Sequence, residues 1–370
     1  MVTIDRVDLH LVPLAPKTLR TDAIQRFECQ ETILLRIWDT DGASGTGYSY
    51  TIGTGGSSVI ALLRDHLIPQ LIGRDPGHIE ALWRDLKMST HATMVGAITA
   101  LALAAIDTAL WDLRGVKVGL PLHVLAGGAR NSVPAYSTEG GWLHLSKEEI
   151  ADDACAMKEA GFVGAKLKIG KPHLAEDMDR LEYVRSFVGD DFEIMTDCNQ
   201  SFSRDEAVRR AQPMEQLGIG WMEEPMPADD LAGHAWLAAH TSLPIAVGES
   251  LYSPAQFREY LQQGACSIVQ VDAARIGGIT PWLKVAHMAE TFNVAVCPHF
   301  LMELHVSLVC AVPNGRWLEY IPQLDEITSS SLDVTAGIAH APKTPGLGIE
   351  WDWKEIDRQA VGSHSNMQAA

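Results

Sequence analysis

The chain has 370 residues, of which 46% are hydrophobic and 21% are charged, and its formal net charge is −18. This length allows one or two domains with a large core, and the acidic balance argues against a nucleic-acid-binding protein or one that docks on an anionic membrane surface. No leader segment with a basic and then an apolar part is visible, and the six cysteines form no CxxC pair, so a reducing cytoplasm is the expected location.

The first third of the chain has the pattern of an α+β module. Val7, Leu9 and Leu11 alternate with polar residues, which predicts an antiparallel strand with one buried face. Two further strand patterns cover residues 33–38 and 47–50, and helical periodicity covers residues 59–71, 78–86 and 95–113. We interpret residues 1–125 as one α+β domain.

From about Val133 onward, short apolar strands alternate with amphipathic helices, which is the pattern of βα repeats. The predicted strands are 165–169, 193–197, 220–224, 245–249, 268–272, 295–299 and 317–320, and helices such as 175–187 and 204–217 lie between them. This many parallel strands in series favour an α/β fold with a barrel over an open sheet. We interpret residues 126–340 as the barrel and residues 341–370 as a C-terminal segment, with a frayed tail from Gly362.

Nearly every predicted barrel strand ends in an ionisable residue. In chain order, the polar residues at these ends are Lys166, Lys168, Asp197 with Asn199, Glu223, Glu249, Asp272, His299 and Glu319. The carboxyl ends of barrel strands converge on one face, where barrel active sites lie. Burying so many charges together is unfavourable unless they pair or bind a metal, so a functional site is the favoured interpretation.

Three of these residues are carboxylates on successive strands, namely Asp197, Glu223 and Glu249. Carboxylate oxygens without histidine or cysteine suit a hard cation, most simply Mg²⁺, which keeps open positions for water or substrate oxygens. The alternative is that each carboxylate caps a strand end or pairs with a cation. That explanation is common for one such residue and less so for three together.

Lys166 and Lys168 are two residues apart on one strand, so their side chains point to the same side. Two close cations beside a metal lower each other's pKa, which predicts a base that works near neutral pH. The alternative is a solvated strand edge that happens to hold two lysines.

His299 and Asp272 end neighbouring strands, which predicts a contact between them. A carboxylate on one imidazole nitrogen fixes the tautomer and raises the basicity of the other nitrogen. A lone histidine is more often structural than catalytic, so the prediction depends on this pairing. Glu319 is placed to hydrogen-bond a substrate carboxylate or a developing enolate oxygen, or else to pair with a barrel lysine.

These residues occur in short motifs that together resemble the enolase superfamily. The motifs are Lys166-Leu167-Lys168, Thr196-Asp197-Cys198-Asn199, Met222-Glu223-Glu224-Pro225, Gly248-Glu249, Val271-Asp272, Pro298-His299 and Trp317-Leu318-Glu319. The Lys-x-Lys motif combined with the His–Asp pair resembles the mandelate racemase subgroup, and the resemblance covers nearly the whole chain. It implies a modified (β/α)7β TIM barrel, an N-terminal α+β capping domain and a C-terminal stretch that returns to the cap.

The resemblance also implies a role for each site residue. Mg²⁺ would be bound by Asp197, Glu223 and Glu249, the base on one substrate face would be Lys168, and the acid or base on the other face would be His299, oriented by Asp272. Lys166 would hold the substrate carboxylate and tune Lys168, Glu319 would stabilise the enolate, and Asn199 would line the site. Specificity would lie in the cap loops near residues 15–29 and 48–57, where Arg20 and Tyr48 are the predicted substrate contacts; the alternative for the first, polar loop is a solvated surface loop. The implied partners are a small carboxylate substrate and, as is common in the family, an even number of identical subunits.

Two acid–base groups on opposite faces of a substrate permit three reactions. Loss of a β-hydroxyl gives a dehydratase that forms a 2-keto-3-deoxy acid, return of the proton gives a racemase or epimerase, and ring opening or closure gives a sugar-acid or lactone cycloisomerase. Residues 140–144, 166–172 and 298–305 resemble acid-sugar dehydratases of the talarate/galactarate type, whereas residues 317–328 and the glycine-rich loop 51–56 resemble cycloisomerases.

We favour a Mg²⁺-dependent acid-sugar dehydratase. The alternative from another class is a non-catalytic barrel that binds a sugar acid. Because binding alone needs no base, retention of Lys168 and of the His299–Asp272 pair argues against that alternative.

Overall fold

The computed structural model describes residues 2–93 and 96–367 of the chain. Its N-terminal elements are β1 (Ile4–Leu14), β2 (Arg20–Thr21), β3 (Arg26–Phe27), β4 (Gln30–Asp39), β5 (Ser44–Ile52), α1 (Gly56–Leu62), α2 (Ile79–Ser89), α3 (Ala97–Val118) and α4 (Leu122–Leu125). The helix predicted over residues 59–71 begins within α1 and continues as a π-helical turn (Leu63–Leu67) and a 3-10 turn (Ile68–Gln70). The predicted start of the long helix, residue 95, lies outside the described residues.

The remaining elements alternate strand and helix for most of their length. They are β6 (Ser132–Ser137), α5 (Lys147–Glu159), β7 (Gly164–Lys168), α6 (Leu174–Val188), β8 (Glu193–Asp197), α7 (Arg204–Gln216), β9 (Met222–Glu223), α8 (Leu231–Ala238), β10 (Ile245–Val247), α9 (Pro254–Gln262), β11 (Ile268–Val269), α10 (Ala273–Ile276), α11 (Ile279–Thr291), β12 (Ala295–Val296), α12 (Met302–Ala311), β13 (Leu318–Tyr320), β14 (Val334–Thr335), β15 (Ile338–His340), α13 (Trp353–Gln359) and β16 (Gly362–Met367). In the described part of the chain, no helix has both the length and the apolar character needed to cross a membrane.

Eight parallel strands form the barrel. Strands β6 to β12 pair in sequence order, each parallel to the next, and β13 pairs in parallel with β6. A parallel bridge between Val296 and Gly315 joins β12 to the segment just before β13 and completes the ring. Seven helical connections link these eight strands, so the fold is α/β, with the predicted modified TIM barrel of (β/α)7β type.

The capping domain is built on an antiparallel sheet of order β16-β1-β4-β5. Helix α3 crosses β5 at very close range, because a Cβ atom on Gly47 would overlap the carbonyl oxygen of Ala105. The same helix contacts α10 and α11 of the barrel. The cap and the barrel are therefore joined through α3.

Two aspartates on α3, the buried Asp107 and the partly buried Asp112, stabilise this junction. Asp107 Oδ2 accepts the amide of Thr280 in the first turn of α11 at 2.8 Å, so the cap domain supplies the N-terminal cap of a barrel helix. Asp112 accepts the amides of Thr46 and Leu347, both at 2.7 Å, and so ties β5 to the C-terminal segment.

Several barrel strands are shorter than predicted. The paired part of β10 ends at Val247, that of β11 at Val269 and that of β12 at Val296. Glu249, Asp272 and His299 therefore lie in the loops that follow these strands, rather than on the strands themselves. The apolar run marks where the backbone is buried and extended, whereas strand pairing stops where the barrel mouth widens and side chains take over the hydrogen bonds.

The predicted frayed tail is wrong for residues 362–367. These residues form β16, which pairs antiparallel with β1 along the edge of the cap sheet, with Arg6 opposite Met367 and Leu11 opposite Gly362. Ser365 Oγ also donates to Asp8 Oδ1 at 2.7 Å. Both faces of β16 are largely exposed, so the strand consists mostly of Gly, Ser, His and Asn and lacks the hydrophobic alternation that predicts a strand. Its pairing uses backbone groups at the sheet edge, which the side-chain pattern does not indicate. Residues 368–370 lie outside the described residues.

Candidate active site

Three carboxylates converge at the mouth of the barrel. Asp197 ends β8, Glu223 ends β9 and Glu249 follows β10, and one oxygen from each lies within 4.8 Å of the others. All three side chains are buried. Three hard oxygen donors at this spacing fit a divalent cation with oxygen preference, and Mg²⁺ is the simplest such ion.

Neighbouring donors fix the orientation of these carboxylates. Glu223 Oε2 accepts from Gln270 Nε2 at 2.6 Å and from Trp221 Nε1 at 3.2 Å. Glu249 Oε1 accepts from Arg275 Nη1 at 3.1 Å. Partners of this kind hold metal-binding carboxylates in place and are a usual part of a metal site.

The two lysines of β7 reach the same cluster and are buried. Lys168 Nζ lies 2.5 Å from Asp197 Oδ2 and donates to Asn199 Oδ1 at 3.0 Å, so Asn199 is in the site as expected. Lys166 Nζ lies 2.9 Å from Glu223 Oε1. Both side chains therefore point inward on the same side of the strand, and a solvated strand edge is ruled out.

The surrounding charges shift the pKa values of both lysines. Burial is the largest effect on the pKa of Lys168 and lowers it, as does repulsion by Lys166, but the combined attraction of Asp197, Glu249 and Glu223 raises the pKa above its ordinary value. Burial also lowers the pKa of Lys166, and Glu223 and Glu319 raise it well above its ordinary value. The predicted mutual lowering assumed a nearby metal and stays a prediction, because a divalent cation would offset the negative charge of the carboxylates that raise both pKa values.

His299 lies between two carboxylates. Its Nδ1 atom is 2.9 Å from Asp272 Oδ2, and its Nε2 atom is 3.0 Å from Glu249 Oε2. Burial lowers the pKa of His299, but Glu249 and Asp272 raise it to about 10. The predicted contact with Asp272 is present, and in its protonated form the ring donates at both nitrogens.

Glu319 joins the cluster from β13 and accepts hydrogen bonds at both oxygens. Its Oε1 atom lies 2.8 Å from Lys166 Nζ and accepts from Thr138 Oγ1 at 2.7 Å, and its Oε2 atom accepts the amide of Phe300 at 2.7 Å. Of the predicted roles, pairing with a barrel lysine is the one these contacts match. Donation to an enolate oxygen would require a proton that this arrangement of donors disfavours.

The short hairpin β2–β3 covers the barrel mouth. The Leu143 amide donates to the Thr21 carbonyl at 3.0 Å, and the rings of Phe27 and Phe300 lie 6.1 Å apart. Arg20 in this hairpin is buried and lies 2.9 Å from Glu139 Oε2, beyond β6. Arg20 thus forms an ion pair between the hairpin and the barrel, and its predicted contact with substrate stays a prediction.

Tyr48 lies apart from the carboxylates. It is fully buried and packs edge-on against Trp351, with ring centroids 5.4 Å apart. Its predicted contact with substrate is not supported, because the ring is enclosed between β5 and the C-terminal segment. Tyr50, two residues further along the same face of β5, instead donates its hydroxyl to Asp272 Oδ2 at 2.7 Å.

Sequence reasoning missed Tyr50, Arg275 and Gln270 as parts of the site. Arg275 follows Asp272 by three residues, and Gln270 precedes it by two, so both lie near a predicted strand end. Their closeness to a predicted strand end was a usable signal, but the prediction considered mainly acids, lysines and histidines. Tyr48 and Tyr50 lie on the same face of one strand, so the alternation pattern could not show which of them reaches the site.

Comparison with known proteins agrees with this geometry. The mandelate racemase / muconate lactonizing enzyme N-terminal domain matches residues 7–127, and the enolase C-terminal domain-like family matches residues 149–356. L-talarate/galactarate dehydratase of Salmonella typhimurium is 37% identical over 317 residues, which are 86% of this chain and 79% of that protein. A 3,6-anhydro-alpha-L-galactonate cycloisomerase of Streptomyces coelicolor is 34% identical over 359 residues, which are 96% of this chain and 99% of that protein.

A solved structure extends the likeness to the whole fold. The crystal structure of the Salmonella dehydratase, liganded with Mg and L-lyxarohydroxamate, superposes with a TM-score of 0.95 at 34% identity and covers 100% of this chain and 95% of that one. Both domains, the order of the strands and the carboxylate cluster lead to one assignment. The chain belongs to the mandelate racemase/muconate lactonizing enzyme family of the enolase superfamily.

Proposed function

We propose that the protein is a Mg²⁺-dependent acid-sugar dehydratase, a carbon–oxygen lyase. It removes the proton next to the carboxylate of a sugar acid and expels the β-hydroxyl, which gives a 2-keto-3-deoxy acid. The observation that supports this most is the charge arrangement at the barrel mouth, where Lys168 contacts one member of the carboxylate trio, Asp197, and His299 contacts another, Glu249. The similarity to L-talarate/galactarate dehydratase adds support.

The metal would be held by Asp197, Glu223 and Glu249. When bound, Mg²⁺ supplies Lewis-acid stabilisation of the negative charge that develops on the substrate carboxylate. The buried donors around these residues keep their oxygens turned toward one another, and the hairpin over the mouth limits access of water.

The protein side chains divide the proton transfers between them. Lys168 takes the α-proton at Nζ in its neutral form, which a bound cation would favour by offsetting the negative charge of Asp197 and Glu249. Lys166 remains a cation that pairs with the substrate carboxylate. His299, protonated and oriented by Asp272, donates a proton from Nε2 to the departing β-hydroxyl, which leaves as water. One proton is accepted and one is given, so the charge of the site is conserved over the reaction.

A screen of sugar acids with Mg²⁺ tests the proposal, with the 2-keto-3-deoxy product as the readout. We expect at least one sugar acid to dehydrate and His299→Asn to abolish the reaction. His287→Asn is a matched control because this histidine is exposed and pairs only with Glu290 at 3.5 Å. Exchange of the α-proton with solvent deuterium and no keto product would support a racemase or epimerase instead.

A cycloisomerase is the second candidate, favoured by one observation. The cycloisomerase relative aligns over 96% of this chain and 99% of its own length, more than the dehydratase relative does. Turnover of an anhydro sugar acid or a lactone, with no 2-keto-3-deoxy product from any open-chain sugar acid, would establish it.

The non-catalytic alternative is tested by Lys168→Ala. Loss of turnover with retained ligand affinity would contradict a pure binding role for the barrel. Residues 1–125, 126–340 and 341–370 complete the proposal as cap, barrel and C-terminal segment, and the pairing of β16 with β1 supports the return of that segment to the cap. A cytoplasmic location and an even-numbered homo-oligomer are also proposed, and light scattering after gel filtration tests the latter.

A further inference from the structure

One cap-domain side chain reaches the His299–Asp272 pair, and the mechanism above does not use it. Tyr50 is fully buried on β5, and its hydroxyl donates to Asp272 Oδ2 at 2.7 Å. The same oxygen lies 2.9 Å from His299 Nδ1. Tyr50 and His299 therefore share one carboxylate oxygen.

The other oxygen of Asp272 is also engaged. Asp272 Oδ1 accepts the backbone amide of Ala274 at 2.7 Å and that of Arg275 at 3.1 Å, which fixes the carboxylate as the N-terminal cap of α10. Four donors thus surround this carboxylate. Three of them come from the barrel, and the tyrosine hydroxyl is the one that comes from the cap.

The ring of Tyr50 reaches His299 by a second route. The Tyr50 and Phe300 rings lie 4.6 Å apart, and Phe300 stacks on His299 with centroids 5.2 Å apart and planes inclined by 15°. Phe300 has a φ of 73°, a conformation that is unfavourable for a bulky residue and persists only where surrounding contacts hold it. Tyr50 and the bond from the Phe300 amide to Glu319 supply such contacts.

We infer that Tyr50 is a positioning residue by which the cap domain holds His299 in place, through its hydroxyl on Asp272 and its ring on Phe300. This inference rests on the proposed function, in which His299 gives a proton to the leaving hydroxyl. Lys168 works on the other substrate face and is held by Asp197 and Asn199. Loss of the Tyr50 hydroxyl therefore weakens the step at His299 and spares the step at Lys168.

Tyr50→Phe tests this inference, because it removes the hydroxyl and keeps the ring. Tyr48→Phe is the matched control: it removes a buried hydroxyl from the same face of the same strand, and that hydroxyl makes no hydrogen bond to a described side chain. Because small displacements of a catalytic group cost up to about a hundredfold in rate, we expect kcat for dehydration to fall about tenfold to a hundredfold in Tyr50→Phe, with KM changed by less than about threefold. Deuterium exchange at the α-carbon should fall by less than about threefold, and Tyr48→Phe should match wild type in both assays.

Equal losses of exchange and dehydration in Tyr50→Phe, or wild-type dehydration, would overturn the inference. An equal loss in Tyr48→Phe would do so as well, because the effect would then reflect cap packing alone.

A second readout does not depend on turnover. In protein labelled with ¹⁵N at histidine, the Nδ1–H signal of His299 should shift in Tyr50→Phe and stay in place in Tyr48→Phe. An unchanged signal in Tyr50→Phe contradicts the inference. If no sugar acid reacts but the signal shifts as expected, the proposed function fails while the positioning role stands.

Discussion

Lys166→Met probes how the site balances its buried charges. The ammonium group lies 2.9 Å from Glu223 Oε1 and 2.8 Å from Glu319 Oε1, and all three side chains are at most 2% exposed. Methionine keeps a similar length and removes the charge. Breaking a buried ion pair on one side costs about 3–5 kcal/mol, because the remaining carboxylates have no compensating charge.

This cost translates into a measurable shift of the melting temperature. An unfolding entropy of about 2.1 cal/mol/K per residue gives about 0.8 kcal/mol/K for 370 residues, so Tm should fall by about 4–6 °C in EDTA at pH 8. Circular dichroism during heating measures it. Lys284→Met is the control: its exposed pair with Glu80 is also 2.8 Å long, and its loss should cost less than about 1 kcal/mol.

Added Mg²⁺ provides the second half of the experiment. A ligand present at about a hundred times its Kd stabilises the folded chain by about 2.7 kcal/mol, which raises Tm by about 3 °C in wild type. The rise in Tm should be larger in Lys166→Met, because without the ammonium group the carboxylates have more uncompensated negative charge to attract the metal. A variant that melts with wild type in EDTA, or an equal drop in Lys284→Met, would refute the reasoning.

Two further predictions concern the cap–barrel junction. Burial raises the pKa of Asp107 from 3.8 to about 7, so the folded chain keeps a proton that the unfolded chain loses, and wild-type stability falls as pH rises from about 4 to 7. Asp107→Asn cannot lose this proton, so its free energy of unfolding relative to wild type should be about 3 kcal/mol higher at pH 8 than at pH 5, as measured by thermal melts. The same relative value at both pH values would contradict the raised pKa. Gly47→Ala should destabilise the cap by more than about 3 kcal/mol, because its methyl group overlaps the Ala105 carbonyl on α3, whereas Gly362→Ala, in open space, should be within about 0.5 kcal/mol of wild type in chemical denaturation.

The carboxylate cluster was predictable because its residues lie at repeated positions in the βα units. Asp197, Glu223 and Glu249 each follow a short apolar run, and parallel strands place such positions on one face of a barrel. Their positions in the sequence were therefore enough to predict that the three carboxylates lie close together. The same logic located Lys168 and His299.

Contacts between the cap and the barrel were not predictable in the same way. Tyr48 and Tyr50 point to one face of β5, and only the docking of the two domains decides which of them reaches Asp272. Arg20 was expected to contact substrate, and its guanidinium group forms an ion pair with Glu139, which is far away in sequence. Pairings of this kind depend on relative domain position, which local periodicity does not encode.

The pKa values depend on residues that are distant in sequence. The sequence showed two lysines close together, and their mutual repulsion follows from that spacing alone. Their attraction to Asp197, Glu223 and Glu319 depends on three other strands and is the larger effect. The spacing of two adjacent residues therefore does not by itself set the direction of the pKa shift.

The order of strands in the cap sheet has a consequence for synthesis on the ribosome. Strand β1 ends at Leu14, whereas its edge partner β16 begins at Gly362 and is translated only after the entire barrel. Until then the outer edge of β1 has free amide and carbonyl groups, of the kind that recruit strands from other molecules. A nascent chain would thus complete its barrel before β1 gains its edge partner β16. Co-translational aggregation should therefore be most frequent in the interval before β16 is released from the ribosome.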